Sequence, residues 1–266
     1  MTPLNCFDDI YFKREDESVT GSAKDRAIPY QIDNLIAQGF SSAVISSTGN
    51  AAIAAQYYCN LKKIPLTVFV SPHTPQSKLS LINNYQTTLK PVSDAIKYSK
   101  ANKSYLLRQS TDESALIGYS YLGSEIIEQV PDVTSIFFPV GSGATLVGVS
   151  SAIPKNVKIF AIQSAYNCPI TKELDPGFIQ EPINITDALT AKYVPLKPRV
   201  HNVLKATGGT GQVVSNQEIM DAQNKLESFG VRCSYEGGLT LAGLFKAKSL
   251  FDIGPKPLVI ITGTKR

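Results

Sequence analysis

Short apolar runs rich in β-branched and aromatic residues recur along the chain, separated by stretches whose apolar positions return at helical spacing. The runs predict strands at Ile10–Lys13, Ala43–Ser46, Leu66–Val70, Tyr105–Arg108, Ser135–Val140, Val157–Gln163 and Leu258–Thr262. Helical patterns lie near residues 24–38, 50–60, 76–85, 93–101, 117–129, 144–152, 216–228 and 239–250. Strands alternating with helices predict an α/β fold of mostly parallel sheets covered by helices on both faces. One helix start is signed at residue level: Ser215 and Glu218 have capping-box spacing, and Ile219, Met220, Ala222 and Leu226 follow. Pro29 should kink or end the helix that starts near residue 24. From Tyr166 to Gly211 the chain reads as irregular, with Pro169, Pro176, Pro182, Pro195 and Pro198, and closes in Thr207-Gly208-Gly209-Thr210-Gly211. Such a segment is either a site-forming loop or disordered.

Composition narrows the function classes. The 266 residues suffice for one large domain or two lobes. No apolar run approaches the roughly 20 residues of a membrane span. The opening MTPLNCFDDIYF lacks the basic start and apolar stretch of a signal peptide, so a cytoplasmic location is expected. The net charge of +4 comes with no lysine or arginine cluster, which argues against nucleic acid as a partner. Cys6, Cys59, Cys168 and Cys233 form no CxxC pair; they read as structural, with a lone nucleophile left open. With only His73 and His201, a histidine-based mechanism or a metal site has little to draw on.

Four stretches carry chemistry. In DESVTGSAKDRA, Ser22 is an N-cap candidate that places Lys24 at the second helical position, where the dipole disfavours a cation by about 0.3–1 kcal/mol. Partial burial would act in the same direction and favour the neutral amine, suited to imine formation with a carbonyl compound. A solvent-facing lysine compensated by Asp25 is the plain alternative. In VISSTGNAAIAAQYY a strand runs into Ser47-Thr48-Gly49-Asn50 and then a helix, a turn able to hold a carboxylate, although the same residues make ordinary βα connections. In FFPVGSGATLVGV, the residues Gly141, Ser142, Gly143, Ala144 and Thr145 can offer several backbone N–H groups to one phosphate, assisted by a helix dipole. No Gly-Lys-Ser/Thr follows, so this is not a P-loop, and a dinucleotide loop lacks its acidic ribose ligand. In PLVIITGTKR a buried strand ends in Thr262, a hydroxyl suited either to a cleft or simply to strand termination. An amine, a carboxylate cradle, a phosphate cup and a hydroxyl together match the requirements of pyridoxal 5'-phosphate.

In these motifs the chain resembles the fold-type-II pyridoxal-phosphate enzymes (the tryptophan-synthase-β-like superfamily), and within them threonine synthase. Thr2-Pro3-Leu4, YFKREDESVTGSAKDRA, SSTGNAA and VGSGATLVG appear in family order; GYSYLGSEIIEQV, IFAIQSAYNCP, VSNQEIMDAQNKL and YEGGLTLAGL extend the similarity over nearly the whole chain. The resemblance implies two lobes with a cofactor cleft between them: residues 1–40 with 131–266 as the larger, cofactor-binding lobe, and 41–130 as a smaller, mobile substrate lobe. It implies that Lys24 forms the imine with the cofactor and then serves as base. Asn50 would bond the ring O3′, Gly141 to Thr145 the phosphate, and Thr262 would face the pyridine nitrogen. Ser47, Thr48, Gly49, Ala51 and Ser110 would hold the substrate, an amino acid with a leaving group, and a homodimer is implied. One segment departs from the family. In QSTDESALIG, residues 109–118, Ala115 stands where threonine synthases carry an arginine for the substrate phosphate, and Ile117 stands at a glutamate. Arg108, Lys192, Lys197 and Arg199 are the cations that could compensate. The implied activity is conversion of O-phosphohomoserine to threonine; serine or threonine dehydration, cysteine-synthase-like replacement and a non-catalytic binding paralogue are the alternatives.

Overall fold

The computed structural model describes residues 1–47, 49–70, 76–82, 86–89, 92–186, 189, 191 and 193–266. The chain divides into two compact units, Met1–Ala23 with Tyr119–Arg266, and Lys24–Gly118. The divisions fall at 23/24 and 118/119, before the expected 40/41 and 130/131. Helix α1 (Lys24–Ala37) accounts for the first difference, because its Ile28, Ile32 and Leu35 share a core with Ala52, Ala55 and Val68.

The larger unit holds a six-stranded sheet ordered β1 (Leu4–Phe7), β2 (Ile10–Arg14), β10 (Pro257–Ile261), β7 (Ser135–Pro139), β8 (Lys158–Ser164), β9 (Gly211–Val214). Only β1 and β2 pair antiparallel, through a turn in which Asp8 and Asp9 take φ of 52° and 62°. The other neighbours are parallel. Strands β7 and β10 are buried along their whole length, which is why they read as unbroken apolar runs. Phe137 and Phe160 stack at 4.5 Å between ring centroids. Helix α9 (Tyr235–Leu250) buries Leu239, Leu241, Leu244 and Ala247 on this sheet, and a Cβ on its Gly243 would lie 2.4 Å from Ile162 Cδ1. Helix α8 (Asn216–Ser228) begins with the capping box expected at Ser215 and Glu218. The segment read as irregular contains helix α7 (Lys197–Thr207), which ends on Gly208 in the left-handed region, and its last residue, Gly211, opens β9. Helix α7 buries only Val200 and Leu204, too few apolar positions for a helical pattern to stand out.

The smaller unit holds a four-stranded, all-parallel sheet ordered β5 (Gln86–Leu89), β4 (Leu66–Val70), β3 (Ala43–Ser46), β6 (Tyr105–Leu106). Its helices include α2 (Asn50–Leu61), α3 (Gln76–Ser80) and α4 (Val92–Ala101). One sheet face packs against α1 and α2, and Val44, Phe69 and Ala95 form a second cluster with Tyr98 of α4. Helix α3 is shorter than the predicted 76–85, of which residues 83–85 lie outside the described residues. Helix α1 runs through Pro29 to Ala37, so the proline does not end it. Helix α5 (Glu113–Gln129) starts four residues before the expected 117. Among the described residues no helix is long and apolar enough to cross a membrane.

The N-terminal segment is held by a buried polar cluster. Lys13, fully buried on β2, pairs with Glu125 of α5 and donates to Thr2 O and Gln129 Oε1, each at 2.8 Å. Glu125 Oε1 also accepts from Thr2 N at 2.8 Å. Removing one partner strands the other charge in the interior. Lys13→Met is therefore expected to cost about 3 kcal/mol in urea unfolding, and Lys13→Met with Glu125→Leu markedly less. Equal losses in the single and double variants would contradict that account.

Candidate active site

The residues singled out by sequence lie where strands of the two parallel sheets end and the chain turns outward. In the larger unit β10 pairs β7 with Val259 opposite Phe137, so three residues later Thr262 is level with Val140, the residue before Gly141. The Thr262 side chain is half-buried, and its hydroxyl makes no hydrogen bond to another described residue. Val140 N donates to Ile162 O at 2.9 Å, and the chain then leaves the sheet. Gly143 takes φ +87°, and a Cβ there would lie 2.6 Å from Val200 Cγ2 of α7, so glycine alone suits this turn. The N–H groups of Gly141, Ser142, Gly143 and Thr145 make no hydrogen bond to another described residue; Ala144 N reaches Ser142 Oγ at 3.5 Å. Helix α6 (Ala144–Ser150) has seven residues, so the loop amides, more than a helix dipole, supply the donors.

The chain leading to Lys24 is fixed by backbone pairing with the segment that follows β10. Ala23 N donates to Thr262 O at 3.0 Å, Thr264 N donates to Gly21 O at 2.9 Å, and Ser22 bridges Gly263 antiparallel. Ser18 braces the same turn: its Oγ donates to Ser22 O at 2.8 Å and accepts from Ser22 N at 2.9 Å. Gly21 takes φ +75°, with Thr264 Cγ2 2.8 Å from where a Cβ would sit. Because Ser22 and Ala23 are engaged in this pairing, α1 starts at Lys24, which is the first helical residue and not the second. Lys24 is half-buried. On α2, burial and then the charge of Asp25 push the Tyr58 hydroxyl up to about 12.

In the smaller unit Ser47 N continues the β3 ladder to Phe69 O at 3.1 Å, and Gly49 N donates to Ser47 Oγ at 3.2 Å. Gly49 caps α2 in an extended conformation, with open space where a Cβ would be. Asn50 opens the twelve-residue α2, and neither its side chain nor the N–H groups of Asn50 and Ala51 bond another described residue. Thr48 lies outside the described residues. Ser110 sits in the 3-10 turn Gln109–Thr111 that follows β6, the neighbour of β3. The structure thus groups Thr262 with Gly141–Thr145 in one unit, and Ser47 and Gly49–Ala51 with Ser110 at adjacent strand ends in the other.

The segment 109–118 has a structural task. The Asp112 carboxylate accepts from Gln31 Nε2 at 2.8 Å, Tyr105 OH at 2.6 Å, Ser114 N at 3.0 Å and Ser114 Oγ at 2.5 Å. Ala115 is fully buried, and a Cβ on Gly118 would lie 2.2 Å from Arg26 O, so α5 is pressed onto α1. No cation can reach a ligand from position 115. Sequence reading missed Asp112, although an aspartate two residues before Ser114 is a helix-start signal. Of the compensating cations, Lys197 pairs with Glu173 at 2.7 Å, and Lys192 lies outside the described residues. Arg108, half-buried at the end of β6, has no side-chain partner among the described residues.

Solved structures share this architecture. Maize serine racemase superposes on all of this chain and 88% of its own, with a TM-score of 0.88 at 20% identity. The processed threonine deaminase isoform 2 from Solanum lycopersicum does so over 100% of this chain and 79% of its own, with a TM-score of 0.87 at 20% identity. This is the α/β fold with mostly parallel sheets seen in fold-type-II enzymes. The model for the pyridoxal-phosphate dependent enzymes matches residues 2–263, and the chain belongs to that family. Among curated relatives, L-threonine ammonia-lyase of Geobacter sulfurreducens is 24% identical over 96% of this chain and 66% of its own. Threonine synthase of Methanosarcina acetivorans is 27% identical over 96% of this chain and 69% of its own. Serine racemase of Dictyostelium discoideum is 26% identical over 68% of this chain and 61% of its own. The chain thus spans about two thirds of the length of these relatives. The cofactor is pyridoxal 5'-phosphate, and the residues present fit it: amides of Gly141, Ser142, Gly143 and Thr145 that bond no other described residue, a neutral hydroxyl at Thr262 and an amine at Lys24.

The cysteines take no part in this set. Burial pushes the Cys59 and Cys233 thiols up to about 12 and raises that of Cys168, whereas Cys6 is exposed. A thiol reagent at neutral pH is expected to modify Cys6 rapidly in the native protein and all four cysteines after denaturation. Rapid native modification of Cys59 or Cys233 would contradict the burial described.

Proposed function

We propose that the protein is a pyridoxal-phosphate-dependent lyase that acts on an amino acid by elimination or replacement. The observation that carries this reading is the set of strand-end donors without a partner among the described residues, at Gly141–Gly143, Thr145 and Asn50–Ala51, together with the clamped backbone before Lys24. In this reading Gly141 to Thr145 hold the phosphate and Asn50 bonds the ring O3′. Lys24 anchors the cofactor and moves the proton at the substrate α-carbon. Ser47, Thr48, Gly49, Ala51 and Ser110 hold the substrate carboxylate and its neighbourhood. When bound, the cofactor supplies an electron sink for the charge left by α-proton removal. Thr262 offers a hydroxyl, so nothing at that position holds the pyridine nitrogen protonated as a carboxylate would, which suits elimination and replacement better than transamination.

Two substrate readings follow from particular side chains. Buried Ala115 favours loss of a hydroxyl group from serine or threonine, as in an ammonia-lyase, because no arginine is available there for a substrate phosphate. Arg108, without a side-chain partner among the described residues, favours the threonine-synthase-like reading, in which O-phosphohomoserine yields threonine and phosphate. Supplying serine, threonine and O-phosphohomoserine in parallel separates them. Keto acid from serine or threonine is the expected result. Phosphate and threonine formed from O-phosphohomoserine alone would overturn it in favour of the synthase reading, and Arg108→Ala should then raise KM at least tenfold. Loss of the near-visible cofactor band in Lys24→Ala is expected in either case. No band in wild type incubated with pyridoxal phosphate would contradict the whole proposal.

A further inference from the structure

We infer that Gln163, resting on the phosphate-loop reading just proposed, is the positioning residue that makes the 141–145 loop select a phosphorylated cofactor. Gln163 lies on β8, is 1% exposed, and uses both ends of its amide. Its Nε2 donates to Val140 O at 2.9 Å. Its Oε1 accepts from Ile170 N at 2.9 Å, Thr171 N at 3.0 Å and Thr171 Oγ1 at 3.2 Å.

The register shows what this side chain replaces. The parallel ladder between β7 and β8 has its last pair at Pro139 and Ile162. Beyond that pair the Val140 carbonyl is met by the Gln163 side chain, and the chain is released from the sheet at Gly141 with its last carbonyl still satisfied. The other end of the amide fixes residues 170–171, and Ile170 O in turn lies 2.9 Å from His201 Nε2 on α7. Helix α7 carries Val200, the side chain that closes on Gly143 from behind. One buried amide therefore sets both the entry of the loop, at Val140, and the position of the wall behind Gly143.

A residue in that role affects the phosphate and leaves the lysine alone. Gln163→Glu keeps the acceptor for Ile170 and Thr171 but turns an oxygen toward Val140 O in place of the donor. Dissociation constants of the full chain for pyridoxal phosphate and for pyridoxal, which lacks the phosphate, would be measured with melting of the cofactor-free protein. The expected result is an affinity for pyridoxal phosphate weakened on the order of tenfold and pyridoxal unchanged within about twofold, with the cofactor-free protein melting lower because the carboxylate is buried. Equal weakening toward both ligands, or an unchanged ratio, would overturn the inference. Thr171→Val removes one bond that orients Gln163 and should move the same ratio in the same direction by a smaller factor; should Gln163→Glu not fold, this ratio decides. Wild type that binds pyridoxal as tightly as pyridoxal phosphate would refute the phosphate-loop reading itself, a failure distinct from that of Gln163.

Discussion

The exchange of backbone hydrogen bonds between residues 21–23 and 262–264 is the constraint on which the rest of the candidate site depends. Strand β10 lies inside the larger sheet, bounded by β2 and β7, and its continuation has little freedom. By pairing antiparallel with Gly21–Ala23, that continuation transfers the rigidity of the sheet to the residue before Lys24. The pairing demands Gly21, whose left-handed φ and close approach to Thr264 leave no room for a side chain. It also explains why α1 begins where it does, since Ser22 and Ala23 are occupied as strand-like partners. The lysine at a helix start thus follows from a short ladder next to it.

The remaining candidate residues follow a second constraint, that of parallel sheets. Every strand end on one edge of a parallel sheet must release its chain into a turn, and backbone groups there lose their ladder partners. In the larger unit the loss falls on Gly141–Thr145, in the smaller on Gly49–Ala51. Where the structure has another use for such a turn, it meets the polar groups internally. Asp112 does this after β6, gathering four hydrogen bonds at the start of α5. The contrast between satisfied and uncommitted strand ends separates scaffold from candidate site more sharply than residue type does.

Much of this was legible in the sequence because central parallel strands are apolar throughout and the motif turns carry their glycines and hydroxyls at fixed places. Each predicted strand exists, and the Ser215 capping box formed as its spacing required. What was missed has local causes. Strand β9 is four residues long and follows a glycine-rich turn, and α7 begins beside Pro198 with only two buried apolar residues. The start of α9 was hidden by Gly237 and Gly238, which are glycines because Cys233 and Ile219 O lie 2.3 and 2.7 Å from where their Cβ atoms would be. Gln163 and Asp112 gave no periodic signal, since apart from the bonds of Asp112 to Ser114 their partners lie between 7 and 81 residues away along the chain. Ala115 was legible as a departure from the family pattern, but that its side chain is buried was not.

The central claim is that the ladder at 21–23 and 262–264 delivers Lys24, among all the lysines of the chain, to pyridoxal phosphate. Borohydride reduction of the cofactor-loaded protein followed by peptide mapping tests this most directly. The account predicts a single phosphopyridoxyl adduct, on the peptide containing Lys24. An adduct centred on another lysine, or spread over several with Lys24 unmodified, would contradict it.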